Sequence, residues 1–295
     1  MTKQQKAYLF ALAAIFLWST VATAFKIALR YVDFSQLLFY STGVSLLVFI
    51  SIAFAQGRLK SAFRVSGREW LKSARNGFLN PFLYYMILLK AYSVLPAQMA
   101  QPLNYLWPMM LVLLSVPMLG EKLKIQGVFS VIFGFSGVYV IATRGDILNF
   151  NIENPTGVLL AVGSSVIWAL SWILNKKNKS DETAQLLRNF LFGFIYISLY
   201  SALNHNFILP SFNGLLAVTY IGFFEMGFTF FFWMRAMQLT TRSDSIGNLV
   251  FLSPFMALIF IYFILGENIY YTSIFGLVLI VVGIFVNRIK FKTRK

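Results

Sequence analysis

Charge is missing from this chain in long blocks. Windows 7–25, 34–57, 91–120, 125–143, 154–175, 245–266 and 268–287 contain no Asp, Glu, Lys or Arg. About 20 apolar residues in an α-helix cross a hydrocarbon core of roughly 30 Å, so each window is long enough to span. Only 12% of the residues are charged, half the usage of about 25% in soluble domains. Mean hydropathy is +0.71. The sequence therefore reads as an all-α polytopic membrane protein.

Composition removes several function classes. With no cysteine there is no disulfide framework, iron–sulfur cluster or thiolate metal site, and a single histidine, His205, leaves no multi-histidine metal site. The expectation is no metal and no cofactor. A net charge of +15 would suggest nucleic acid in a soluble chain, but the basic residues here cluster between the apolar windows, as topogenic charge does. No nucleic-acid partner is expected. The first apolar segment is a full span rather than a short signal-peptide core.

Reading outward from the windows gives ten spans, near 7–29, 35–56, 69–92, 97–119, 124–143, 155–175, 184–203, 212–237, 244–265 and 270–289. With the N-terminus placed in the cytoplasm, 21 of the 25 Lys and Arg residues fall on that side, leaving Lys26, Arg30, Lys90 and Arg144 outside. That asymmetry fits an even number of spans with both termini inside.

The two halves of the chain resemble each other. Residues 106–140 align with 252–286 at an offset of 146, pairing Pro108, Gly120, Glu121 and Gly137 with Pro254, Gly266, Glu267 and Gly283. Upstream the offset drifts: Asn80 pairs with Glu225 and Trp18 with Trp168. Two repeats of five spans follow, 1–145 and 155–290, and an odd number of spans makes the second copy enter from the opposite side. Inverted repeats are how many secondary transporters build two alternative openings around one midplane site.

These features resemble the drug/metabolite transporter superfamily, built from tandem EamA-type repeats: a tryptophan in the first span of each half, and a proline followed by an apolar run into Gly-Glu. Within it, Leu17-Trp18-Ser19-Thr20 and Asn104-Tyr105-Leu106-Trp107-Pro108 are similar to the aromatic amino acid exporter branch. The resemblance covers essentially the whole chain. It implies ten helices in the inner membrane, a central cavity between the repeats, and metabolite export or exchange without ATP.

Polar side chains inside spans are the functional pointers, because in hydrocarbon they are costly unless they face protein or cavity water. Glu225 lies mid-span in Gly222-Phe223-Phe224-Glu225-Met226-Gly227, and its repeat mate Asn80 stands beside Pro81. For Glu225 a substrate-ammonium contact, a proton-coupling role and a structural carboxyl all remain open. Gln98, Gln101 and Tyr105 recur at i, i+3, i+7, on one helical face flanked by Asn104 and Trp107, with Asn248 on the matching face of the second half. Interhelical hydrogen bonding competes with a cavity role for these amides. Pro108 and Pro254 are expected to kink their helices beside the site. Trp18, Trp168 and Tyr84 are candidates for an aromatic wall suited to cations or stacked rings. Lys26 reads as a snorkelling side chain and the two Gly-Glu pairs as local helix termination.

The expectation is a secondary transporter, not an enzyme: an exporter or exchanger of small organic metabolites, amino acids first among them, by alternating access. Its partners are a small-molecule substrate and the bilayer, with proton coupling a candidate role for Glu225, as a monomer or weak homodimer in the inner (plasma) membrane. Transport of S-adenosylmethionine or another nucleoside-type metabolite is the nearest alternative. A channel or a membrane-embedded enzyme stands further off, since one buried carboxylate assembles no catalytic constellation.

Overall fold

Helices make up all regular structure in the computed structural model, which describes residues 1–120, 122, 125–146, 148, 152, 154–176, 181–240 and 249–288. Helix α1 (Lys3–Ala28) starts at a capping box formed by Thr2 and Gln5, and α2 (Phe34–Ala55) at a second one formed by Asp33 and Gln36. After the short α3 (Leu59–Phe63) comes a composite rod: α4 (Gly67–Gly77), a wide-turn π segment at Phe78–Leu83, and α5 (Tyr84–Val94). Helices α6 (Ala97–Asn104), α7 (Trp107–Leu119) and α8 (Ile125–Ala142) complete the first half.

The second half repeats this order. Helices α9 (Pro155–Lys176) and α10 (Glu182–Leu203) precede a second composite rod of α11 (Phe212–Tyr220), a π segment at Ile221–Phe228, and α12 (Thr229–Leu239). Helix α13 (Leu252–Phe260) runs into a third π segment (Ile261–Leu265), and α14 (Tyr271–Arg288) closes the bundle. Gly120 and Gly266, repeat mates, end their helices in the left-handed region at φ 69° and 68°.

Among the described residues, seven helices are long and apolar enough to cross a membrane, and two shorter apolar helices lie at Leu252–Leu265 and Tyr271–Val286. The α4–α5 rod is not among them; α4 carries Arg68, Glu69, Lys72 and Arg75. Large apolar side chains such as Leu9, Leu12, Phe16, Leu47 and Phe54 are exposed on the outside of the bundle, which suits a lipid-facing surface.

Contacts between halves come in reciprocal pairs. Helix α1 packs on α12 and α13, and its counterpart α9 packs on α5, α6 and α7; α2 and α10 pack on each other. At the α8–α14 seam a Cβ added at Gly137 would stand 2.5 Å from the Gly276 carbonyl oxygen, and one at Gly283 would stand 2.7 Å from that of Ser130. The two contacts run antiparallel. An offset of 146 turns each into the other, so this seam has local two-fold symmetry.

Candidate functional site

A cavity opens where the two halves meet. Helix α1 supplies Trp18, Val21 and Phe25, and α5 supplies Tyr84, Leu88 and Tyr92. The α6–α7 region adds Gln101, Asn104, Tyr105 and Trp107, and the second half adds Trp168, Trp172, Glu225, Trp233 and Val250. Among the described lining residues Glu225 is the only Asp, Glu, Lys, Arg or His, and five of the chain's six tryptophans are present.

The aromatic side chains form two connected groups. Trp168 packs 4.5 Å from Tyr84 and 6.2 Å from Trp172 between ring centroids. Trp18 lies 5.3 Å from Trp233, and Phe230 bridges the groups at 6.5 Å from Trp18 and 5.8 Å from Trp168. Tilted and edge-on geometries at these separations favour ring pairs beyond their buried area.

The polar groups are held by one another. Tyr85 donates its hydroxyl to Glu225 Oε1 at 3.1 Å, whereas Oε2 is buried with no hydrogen-bond partner. Tyr84 donates to Asn104 Oδ1 at 3.3 Å, and the Asn104 amide donates to Ser164 Oγ at 2.9 Å. Tyr92 donates to Gln101 Oε1. Such bonds fix rotamers at membrane depth, where an unmet polar group is costly.

The structure thus gathers Trp18, Tyr84, Gln101, Asn104, Tyr105, Trp168 and Glu225 around one cavity. It leaves two candidate residues elsewhere, and Asn248, with its neighbour Ser245, lies outside the described residues. Asn80 sits in the first π segment with φ −148° and ψ 117°, off the cavity, its Oδ1 buried without a partner. Gln98 is one turn beyond Gln101 and joins a separate polar cluster. There Glu267 accepts the backbone N–H groups of Ala97 and Gln98 at 3.1 and 3.4 Å, capping the start of α6 from across the bundle. Gln98 donates to the Asn268 carbonyl at 2.7 Å and accepts the Tyr270 N–H at 2.7 Å. Lys26 donates to the carbonyls of Tyr92 and Leu95, both at 3.0 Å, at the C-terminus of α5. Lys26 and Glu267 therefore knit helix ends together, a role that snorkelling and local capping do not describe.

Pro108 and Pro254 also act differently from the expected mid-helix kink. The chain turns at Tyr105–Leu106 and again at Val250–Phe251, and each proline falls in the first turn of the helix that follows. There the missing N–H costs nothing, since those first donors have no intrahelical acceptor. The helices are interrupted before the prolines, and the interruptions border the cavity. Trp172, Trp233, Tyr92 and Phe25 were not singled out by sequence; in a chain with 32 Phe and 14 Tyr, ring content alone does not reveal which face turns inward. Among the described residues, no three His, Asp or Glu side chains gather closely enough to hold a metal ion.

A family model described as the EamA-like transporter family matches residues 5–143 and again 155–289. The chain belongs to the EamA-like transporter family. It is similar to the aromatic amino acid exporter YddG of Ancylobacter novellus, 27% identical over 264 residues and covering 86% of this chain and 87% of that one. It is 26% identical over 227 residues to YvbV, an uncharacterized transporter of Bacillus subtilis, covering 75% of this chain and 72% of that one. An uncharacterized transporter of Archaeoglobus fulgidus matches at 24% over 292 residues, covering 97% of this EamA chain and 98% of that one. A crystal structure with 23% identity superimposes with a TM-score of 0.68 over 95% of this chain and 96% of the other, a likeness of fold.

Proposed function

We propose that this EamA-family chain is a secondary transporter that exports or exchanges small organic metabolites, amino acids first, by alternating access at the cavity between its halves. On this reading each composite or broken rod is one span, giving ten. The repeats 1–145 and 155–290 are inverted, and both termini lie in the cytoplasm of an inner-membrane protein. The antiparallel two-fold seam between α8 and α14 supports the inversion, and the loop charge supports the orientation.

The observation that carries the proposal is the cavity itself. It sits at the junction of two repeat copies, it holds a buried carboxyl and a set of amides and hydroxyls in aromatic walls, and interrupted helices border it. Discontinuous helices at a repeat interface are where transporters place substrate. Trp18, Tyr84, Gln101, Asn104, Tyr105, Trp168 and Glu225 are the proposed contacts, with Glu225 the proposed coupling group. Asn80, Gln98 and Asn248 are retained only as sequence candidates. The Lys26, Gln98 and Glu267 cluster is the proposed closure on the non-cytoplasmic side.

Counterflow in proteoliposomes tests this. Vesicles preloaded with single unlabelled metabolites are assayed for accumulation of labelled tryptophan, phenylalanine, threonine or S-adenosylmethionine. Saturable exchange of the aromatic pair is the expected result. Exchange of S-adenosylmethionine alone keeps the transporter and replaces its substrate, while a flux that never saturates makes the chain a channel.

A further inference from the structure

The geometry points to a ranking among aromatic substrates: an arylalkylammonium ion, a single positive charge joined to an aromatic body without a free carboxylate, is held more tightly than the amino acid with the same side chain. This inference rests on transport through the cavity and narrows what that cavity accepts.

Three observations converge on it. Glu225 is 7% exposed and faces the cavity with one oxygen taken by Tyr85 and the other, Oε2, buried with no partner. A buried carboxyl oxygen demands a donor, and an ammonium supplies both donor and charge. Around it stand indoles of Trp18, Trp168, Trp172 and Trp233, whose negative ring faces attract cations and stack with aromatic bodies. Finally, no described lining residue is basic. One hydrogen of the neutral Asn104 amide is engaged with Ser164, and Lys26 is tied to the carbonyls of Tyr92 and Leu95. A zwitterionic amino acid would satisfy Glu225 with its ammonium and then bring a carboxylate into a cavity with one acid and no described cation. Removing or masking that carboxylate removes the penalty.

The test is a probe series on the full chain. Binding to detergent-purified protein is measured calorimetrically for tryptamine, tryptophan methyl ester, tryptophan and indole-3-acetate. Counterflow of labelled tryptamine is followed in parallel. Tryptamine and the ester are expected to bind about tenfold or more tightly than tryptophan, and indole-3-acetate not at all. Glu225→Gln is expected to erase most of the preference for tryptamine. The wild-type ranking stands alone should that variant fail to fold. Tryptophan binding as tightly as tryptamine overturns the selection while leaving the transporter reading intact. Tryptamine that binds with this ranking but is not exchanged supports the selection and rejects transport. Failure of every probe to bind overturns the inference.

Discussion

The two wide-turn segments, Phe78–Leu83 and Ile221–Phe228, occupy equivalent places in the two halves and do different work. Both interrupt a composite rod midway along its length, and both are entered through a tightly packed glycine. A Cβ on Gly77 would stand 2.3 Å from the Asn189 carbonyl oxygen on α10, and one on its mate Gly222 would stand 2.6 Å from the Ser41 carbonyl oxygen on α2. The backbone device and its docking are duplicated, but the side chain it presents is not. The first segment turns Asn80 away from the cavity beside Pro81; the second turns Glu225 into it. The two halves thus share a backbone frame, and the polar lining of the cavity is asymmetric: hydroxyls and amides from the first half, the carboxyl from the second.

The sharpest way to break this comparison is to alter both mates. Glu225→Gln is expected to lower counterflow of a transported substrate by about tenfold or more, the scale of a hydrogen bond to a charged group. Asn80→Ala is expected to keep the rate within about twofold, since Asn80 does not line the cavity. Equal losses in the two variants would make the halves functionally symmetric and refute the asymmetry.

The frame is tested next. Gly77→Ala and Gly222→Ala each force a methyl group against backbone, so each is expected to cost about 1–3 kcal/mol, read as a lower thermal midpoint in detergent. Gly163→Ala in α9 is the control: nothing lies within 4 Å of its added Cβ, and it is expected to be neutral or slightly stabilising. A smaller effect is expected at the polar cluster. Glu267→Ala strips the cap from two backbone donors of α6 and should cost about 1 kcal/mol. Because the chain has no native cysteine, a thiol introduced at exposed Ser93 would report any loosening there as faster labelling.

What sequence made legible follows from what each signal measures. Charge-free windows measure length, so they revealed the helices and, through the offset between halves, the repeat. Glu225 stood out because a mid-span carboxyl is expensive anywhere in hydrocarbon. The facing of a helix is another matter. These helices are apolar all round, so periodicity does not say which side meets the cavity, and that is decided by packing between halves. Asn80 and Glu225 align perfectly, yet only one faces inward. Trp172 and Trp233 enter the cavity from α9 and α12 without a local signature. The reach of Glu267 to the start of α6 spans 170 residues of sequence, and no spacing rule anticipates it.

The smallest effect expected also sets the halves against each other, at the N-termini of α2 and α10. Each is capped by an aspartate: Asp33 accepts the N–H groups of Ser35 and Gln36, and Asp181 accepts that of Ala184 while pairing with exposed Arg58. Partial burial disfavours the Asp33 anion, but hydrogen bonds from Asn206, Ser35 and the two backbone donors outweigh it and hold the carboxyl below its usual range. A depressed folded-state value means that the stability is present above the ordinary carboxylate range and is lost as pH falls through the folded value. Thermal midpoints should therefore drop between pH 6 and pH 3, on the order of 1 kcal/mol or less given the exposure of this site, and Asp33→Asn should blunt that drop. Arg58→Ala should shift the midpoint at neutral pH by no more than about 0.5 kcal/mol, because an exposed ion pair gains little over water. A larger loss in Arg58→Ala than in Asp33→Asn would place the stronger anchor in the second half and reverse the comparison at these ends.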